Sequence, residues 1–183
     1  MRIENFIFMT KLKSLLYIFY SLLFLQFLSF CASPQDFYEQ GKIEFFNENY
    51  EKAVFYFNRA LQVNPNYQEV YYELARLYYE IDNYYYAKLN IERAIKYAGS
   101  NRELLLFSAD VDAKLKNYAL AEAKYKQVLN KDPLNLRALS NLAELYLDNQ
   151  KFVQADKFLS DIMKSYPDNF KVLDLRARFY EEA

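Results

Sequence analysis

The chain has 183 residues, with 23 lysines and arginines against 24 aspartates and glutamates, a formal net charge of −1. It holds two glycines, no histidine, no tryptophan and a single cysteine, Cys31. That inventory excludes a His/Cys metal site, a cysteine nucleophile with a histidine base, an internal disulfide and a glycine-rich phosphate loop.

Residues 1–31 read as a targeting segment. Arg2, Lys11 and Lys13 precede an uncharged run from Ser14 to Phe30, and no charge returns until Asp36. The run is intermediate between a signal-peptide core and a short membrane span. Its basic flank keeps the leader on the cytoplasmic side and sends the rest of the chain outward. The run ends in Leu28-Ser29-Phe30-Cys31, which resembles the lipobox of bacterial lipoproteins. That resemblance implies lipidation of Cys31, although Phe30 stands where a small residue is usual. Two outcomes stay open: a cleaved lipoprotein beginning at acylated Cys31, or an uncleaved anchor in which Cys31 is one more apolar residue. Either way the expectation is an extracytoplasmic, membrane-anchored chain in the periplasm or cell envelope of a bacterium. Three of the cations and one of the acids fall in residues 1–31, so the remaining body is mildly acidic. With no basic stripe it is a poor partner for nucleic acid.

Beyond this segment the chain repeats. Alanines stand at 53, 87, 121 and 155, a constant step of 34. An aromatic precedes each by three positions (Tyr50, Tyr84, Tyr118, Phe152), and a helix breaker follows by twelve (Pro65, Gly99, Pro133, Pro167). Ser33, Pro34 and Asp36 predict a capped helix start. The units run 34–67, 68–101, 102–135 and 136–169, with a further helix over 170–183. Each reads as two helices. In the second unit Val70, Leu74, Leu77 and Ile81 recur at helical spacing, Asp82-Asn83 interrupts, and Tyr84, Ala87, Ile91 and Ala94 resume. Small residues also recur on the first helices, at Gly41, Ala75, Ala109, Ala143 and Ala177. With these columns in register, the chain resembles the tetratricopeptide repeat family. The resemblance implies an all-α, right-handed α-solenoid of helix-turn-helix units: four full repeats and a partial fifth.

The third unit departs from the pattern. Ser108 and Asp112 stand on a face that is apolar in units two and four, and the stripe moves to Leu104, Phe107, Val111 and Leu115. Less regular packing is expected there. On the last helix, Phe170, Leu173, Ala177 and Tyr180 are expected to cover unit four. That leaves Val172, Leu175 and Phe179 as an exposed edge, open to self-association or a partner.

The resemblance also implies a concave groove, lined by first helices, that receives a protein or an extended peptide segment. By register it carries Tyr38, Lys42 and Phe45, then Tyr72, Arg76 and Tyr79. Further along it carries Leu106, Asp110, Glu144, Asp148, Asp174, Arg178 and Glu181. The pattern runs from aromatic with two cations to mostly acidic. The family's carboxylate clamp is not matched, because Tyr38 and Glu73 stand where a cation or amide is needed. No catalytic constellation, metal site or cofactor is expected. The reading is a tethered scaffold for partner proteins. The alternatives are a structural subunit acting as a homo-oligomer and an uncleaved single-span protein.

Overall fold

The 34-residue step becomes a repeating turn in the backbone. In the computed structural model, which describes Tyr20, residues 33–99 and residues 101–183, every regular element from Pro34 onward is helical. Cys31 and, Tyr20 apart, the rest of the targeting segment lie outside the described residues. The first unit pairs α1 (Pro34–Phe46) with α2 (Tyr50–Val63), and the second pairs α3 (Gln68–Glu80) with α4 (Tyr84–Ala98). The third pairs α5 (Arg102–Lys114) with α6 (Tyr118–Lys131), and the fourth pairs α7 (Leu136–Asp148) with α8 (Phe152–Ser165). The last helix is α9 (Phe170–Glu182). Among the described residues no helix is long and apolar enough to cross a membrane.

Local chemistry sets the boundaries. Ser33 caps α1 in a reciprocal box with Asp36, and Pro34 occupies the first turn. Asn101, Asn135 and Asn169 cap α5, α7 and α9 through their side chains. Within each pair the chain reverses at one left-handed residue: Glu48, Asp82, Lys116 and Gln150, with φ of 60, 58, 60 and 54°. These positions are again 34 apart. The very next amide closes each turn onto the helix behind it: Asn49 N–H donates to Glu44 C=O, Asn83 to Tyr78, Asn117 to Asp112 and Lys151 to Tyr146, at 2.8–2.9 Å. Such bonds satisfy carbonyls that a helix end leaves open.

The two helices of a unit approach at their small residues. Ala53, Ala75, Ala87, Ala109, Ala121, Ala143 and Ala155 are all fully buried. At Gly41 a Cβ would lie 2.6 Å from the Phe57 ring, inside carbon contact distance, so only glycine fits. Successive units then close on one another. Phe57 and Ala60 of α2 share a core with Val70, Leu74 and Leu77 of α3. Ala87, Ile91 and Ala94 of α4 share another with Leu104, Phe107 and Val111 of α5. The largest core runs from Leu106 through units three and four to Leu175. First helices also meet their counterparts, α1 with α3, α5 with α7 and α7 with α9. The result is a stack of helical pairs.

The expected roles of the two stripes on α9 are reversed. Val172 and Leu175, expected to be exposed, are 0% and 3% accessible, and Phe179 packs partly buried on the same core. Phe170, Leu173 and Tyr180, expected to be covering, are 83%, 43% and 69% accessible. Register explains the reversal. Gly41 abuts Phe57 of its own second helix, so the column ending in Ala177 faces the partner helix of the same unit. The column through Leu77, Val111, Leu145 and Phe179 faces the preceding unit.

Three substitutions test this packing by thermal or denaturant unfolding. Gln150→Gly is expected to raise stability by about 0.5–1 kcal/mol, relieving a left-handed non-glycine residue. Gly41→Ala is expected to lower it, because the clash with Phe57 outweighs the usual helical gain of about 1 kcal/mol. Leu175→Ala is expected to cost about 2–4 kcal/mol, whereas Leu173→Ala changes little.

Candidate binding groove

Side-by-side first helices bring residues 34 apart into rows. One row holds Lys42, Arg76, Asp110, Glu144 and Arg178. Beside it lie Tyr38 and Tyr72, and on the other flank Phe45 and Tyr79. Their surroundings divide the face into an aromatic end and a charged end.

At the aromatic end the rings interlock. Tyr72 and Tyr79 each meet the Phe107 ring, with centroids 5.7 and 5.4 Å apart, and Tyr38 meets Tyr67 at 5.3 Å. The two cations lie against these rings. The Lys42 ammonium stands 4.7 Å over Tyr38, and the Arg76 guanidinium lies 5.7 Å from Phe45 and 6.0 Å from Tyr72. Both are already neutralised within their own helices: Lys42 pairs with Glu39 at 2.8 Å and Arg76 with Glu73 at 3.0 Å. Glu73 is buried, and burial pushes its carboxyl up against the pull of Arg76. Burial, then Glu73, pushes the Tyr38 phenol up to about 12. Burial, then Asp110, does the same at Tyr79.

Further along the row, Asp110 anchors a network rather than standing free. It accepts from Tyr125 Oη at 2.6 Å, Asn141 Nδ2 at 2.8 Å and Arg137 Nη2 at 2.7 Å. Burial and the Asp110 charge drive the Tyr125 phenol far above its ordinary range. Arg137 reaches from α7 to both Asp110 and Glu103 of α5, the latter at 2.6 Å, and so ties unit three to unit four. Leu106 is buried beneath this network and offers no groove surface. Lys171 donates to Asn141 at 2.7 Å and lies 3.7 Å from Glu144, while Arg178 pairs with Asp148 and Glu182, each at 2.5 Å. Tyr79, Asp110, Asn141, Glu144 and Asp148 line a cleft of about 190 Å³ between these groups. Val172 and Leu175 are buried and take no part in a free surface, and Phe179 is partly buried. Among the described residues, no cluster of three or more acids, histidines or cysteines is placed to hold a metal ion.

The groups that the sequence reading does not place on this face are Glu103, Tyr125, Arg137, Asn141 and Lys171, and it names Glu73 only as a departure from the carboxylate clamp. One signal was available: Glu103, Arg137 and Lys171 follow one another at 34-residue steps, hence stand on adjacent first helices. The others depend on side-chain reach across helices, which the repeat period does not report.

On the opposite side of α5, the polar substitution of unit three becomes a buried ionic cluster. Asp112 is fully buried, and its two carboxylate oxygens accept from Lys88 Nζ of α4 at 2.8 Å and Lys124 Nζ of α6 at 2.5 Å. Asn117 adds a third donor at 3.3 Å, and Lys124 also donates to the buried Ser108 hydroxyl at 2.6 Å. Where units two and four use tyrosine (Tyr78, Tyr146), unit three uses charge. Burial opposes ionisation most strongly, but hydrogen bonds and charge from Lys124 and Lys88 outweigh it and hold Asp112 below its ordinary value. A depressed carboxylate contributes stability above its unfolded value of 3.8 that is lost as pH falls through the folded value. Asp112→Ala is therefore expected to cost about 3 kcal/mol at neutral pH, less than a fully buried pair because both lysines reach solvent. Denaturant titrations below pH 4 should show the difference from the parent chain shrinking. A constant difference would contradict the linkage.

A family model described as tetratricopeptide repeat matches residues 47–102 and 112–179. The crystal structure of the MamA protein superposes with a TM-score of 0.70 at 13% identity, over 81% of this chain and 81% of that one. YrrB, described as a TPR protein with an unusual peptide-binding site, superposes at 0.62 with 15% identity, over 80% of this chain and 84% of that one. The first TPR of Spaghetti (RPAP3), bound to the HSP90 peptide SRMEEVD, superposes at 0.59 with 17% identity, over 64% and 94%. At these identities the likeness is one of fold. No curated protein matches the sequence.

Proposed function

The chain belongs to the tetratricopeptide repeat family, and we propose that it is an exported, membrane-tethered scaffold that holds partner proteins in the cell envelope. The observation that carries this reading is the open row of half-buried rings on the first helices: Tyr38, Phe45, Tyr72 and Tyr79. Such rings supply large contact area at low entropic cost, and they lie beside charged groups fixed by neighbours. The cleft at the charged end of this face is small, open, shared between helices and lined mostly by polar groups, suiting a segment of another chain rather than a small substrate. Two fold neighbours, YrrB and the Spaghetti repeat domain, are described with a peptide-binding site or a bound peptide. Tethering rests on the apolar run ending at Cys31 and on the shortness of the Ala32-Ser33 link to α1. On this reading the first unit stays close to the bilayer and the groove extends away from it.

A second reading is an oligomer as the functional unit. The exposed Phe170, Leu173 and Tyr180 of α9 favour it, in place of the edge expected from sequence.

Affinity capture from detergent-solubilised membranes tests the scaffold. The parent chain is expected to retain heterologous proteins that Tyr72→Ala/Arg76→Gln loses, with helix content unchanged by circular dichroism. Glutamine is chosen at 76 so that the buried Glu73 does not face a like charge. Self-association alone, unchanged in the variant, would favour the oligomer. Intact mass decides the tether: a chain beginning at acylated Cys31 supports the lipoprotein, and an unprocessed chain the single-span anchor.

A further inference from the structure

The groove offers its partner negative charge, not positive. Every cation pair described above is complete: Lys42 and Arg76 are met by glutamates of their own helices, and Arg137, Lys171 and Arg178 by carboxylates of α5, α7 and α9. What remains outside these ion pairs on the same face is Glu69, Glu80, Asp174 and Glu181, against Lys114 and the neighbouring Lys116. All six are exposed. The ring faces point the same way. Tyr38, Phe45 and Tyr72 already carry cations over them, which shows that their geometry accepts an ammonium or guanidinium. Tyr79 is set between the exposed Glu80 on its own helix and Asp110 and Glu144 across the cleft.

Resting on the groove reading above, we infer that the partner segment is basic: an extended lysine- or arginine-bearing protein segment whose cations stack on the tyrosine row and meet the surplus carboxylates of α3 and α9. An acidic segment would face uncompensated like charge at both ends, since Lys42 and Arg76 have no charge to spare.

Three labelled probe peptides of equal length test this by fluorescence anisotropy on the detergent-solubilised full chain. They share alternating leucine and alanine positions and differ only in carrying lysine and arginine, glutamine, or glutamate at the rest. The basic probe is expected to bind about tenfold tighter than the glutamine probe, and to weaken as salt rises. In Glu80→Gln/Asp174→Gln/Glu181→Gln, whose changes are exposed and leave the fold intact, that advantage is expected to vanish. Tyr72→Ala is expected to weaken the basic and glutamine probes alike. If the glutamate probe binds as tightly as the basic one or tighter, and Tyr72→Ala still weakens it, the charge inference is overturned and the groove survives. If no probe responds to Tyr72→Ala, and captured membrane proteins are also retained by that variant, groove and inference fall together.

Discussion

Close approach of two helices at a residue with no bulk is the constraint on which this molecule is built. Gly41 against Phe57 is its extreme case, where even a methyl group has no room. The buried alanines of the later units repeat it. Once two helices meet this closely, their remaining apolar side chains are forced outward from the seam, onto the next unit. Phe57, Ile91, Tyr125 and Leu159 are each buried at the rim of that seam, and Phe57 and Ile91 share a core with the unit that follows. Neighbour-to-neighbour closure then propagates along the chain without a common centre. The left-handed residue at each reversal keeps the second helix in the same place relative to the first, so each unit offers its successor the same docking surface.

That arrangement has a functional consequence. A stack of pairs exposes a long face built from one helix of each pair, and side chains 34 apart become neighbours across it. Charge that would be remote along the chain is local on the surface. Arg137 joins Glu103 and Asp110, and Arg178 joins Asp148, because adjacent first helices run side by side. The same pairs that stiffen the stack consume the positive charge of the groove. Binding character is thus a remainder: what the face presents is what the scaffold's own ion pairs leave over. On the opposite side of α5, Asp112 shows the reverse use of charge, with a carboxylate binding three helices where other units rely on a ring.

Much of this was legible before any coordinates. Strict recurrence of alanine, aromatic and helix breaker reports a backbone that repeats, and the first-helix cap at Ser33 with Asp36 is a local interaction that sequence states directly. The stripes on α9 were visible too, but not their destinations. Helical periodicity separates two apolar faces by angle and is silent on which neighbour each meets. Only the contact of Gly41 with its own second helix settles that for the Ala177 column. Ser108 and Asp112 were recognisable as exceptions, yet their partners Lys88 and Lys124 sit on other helices at distances no period encodes. Lys42 and Arg76 were legible as first-helix residues 34 apart and not as spent charges. Cys31 and, Tyr20 apart, the targeting segment lie outside the described residues.

Amide hydrogen exchange on the full chain tests the central claim most directly, namely that identical close-packed pairs recur every 34 residues. The account predicts slow exchange at Ala53, Ala87, Ala121 and Ala155, and at the turn amides of Asn49, Asn83, Asn117 and Lys151, with the pattern repeating from unit to unit. Fast exchange at these positions, or protection gathered in one block with no such recurrence, would contradict it.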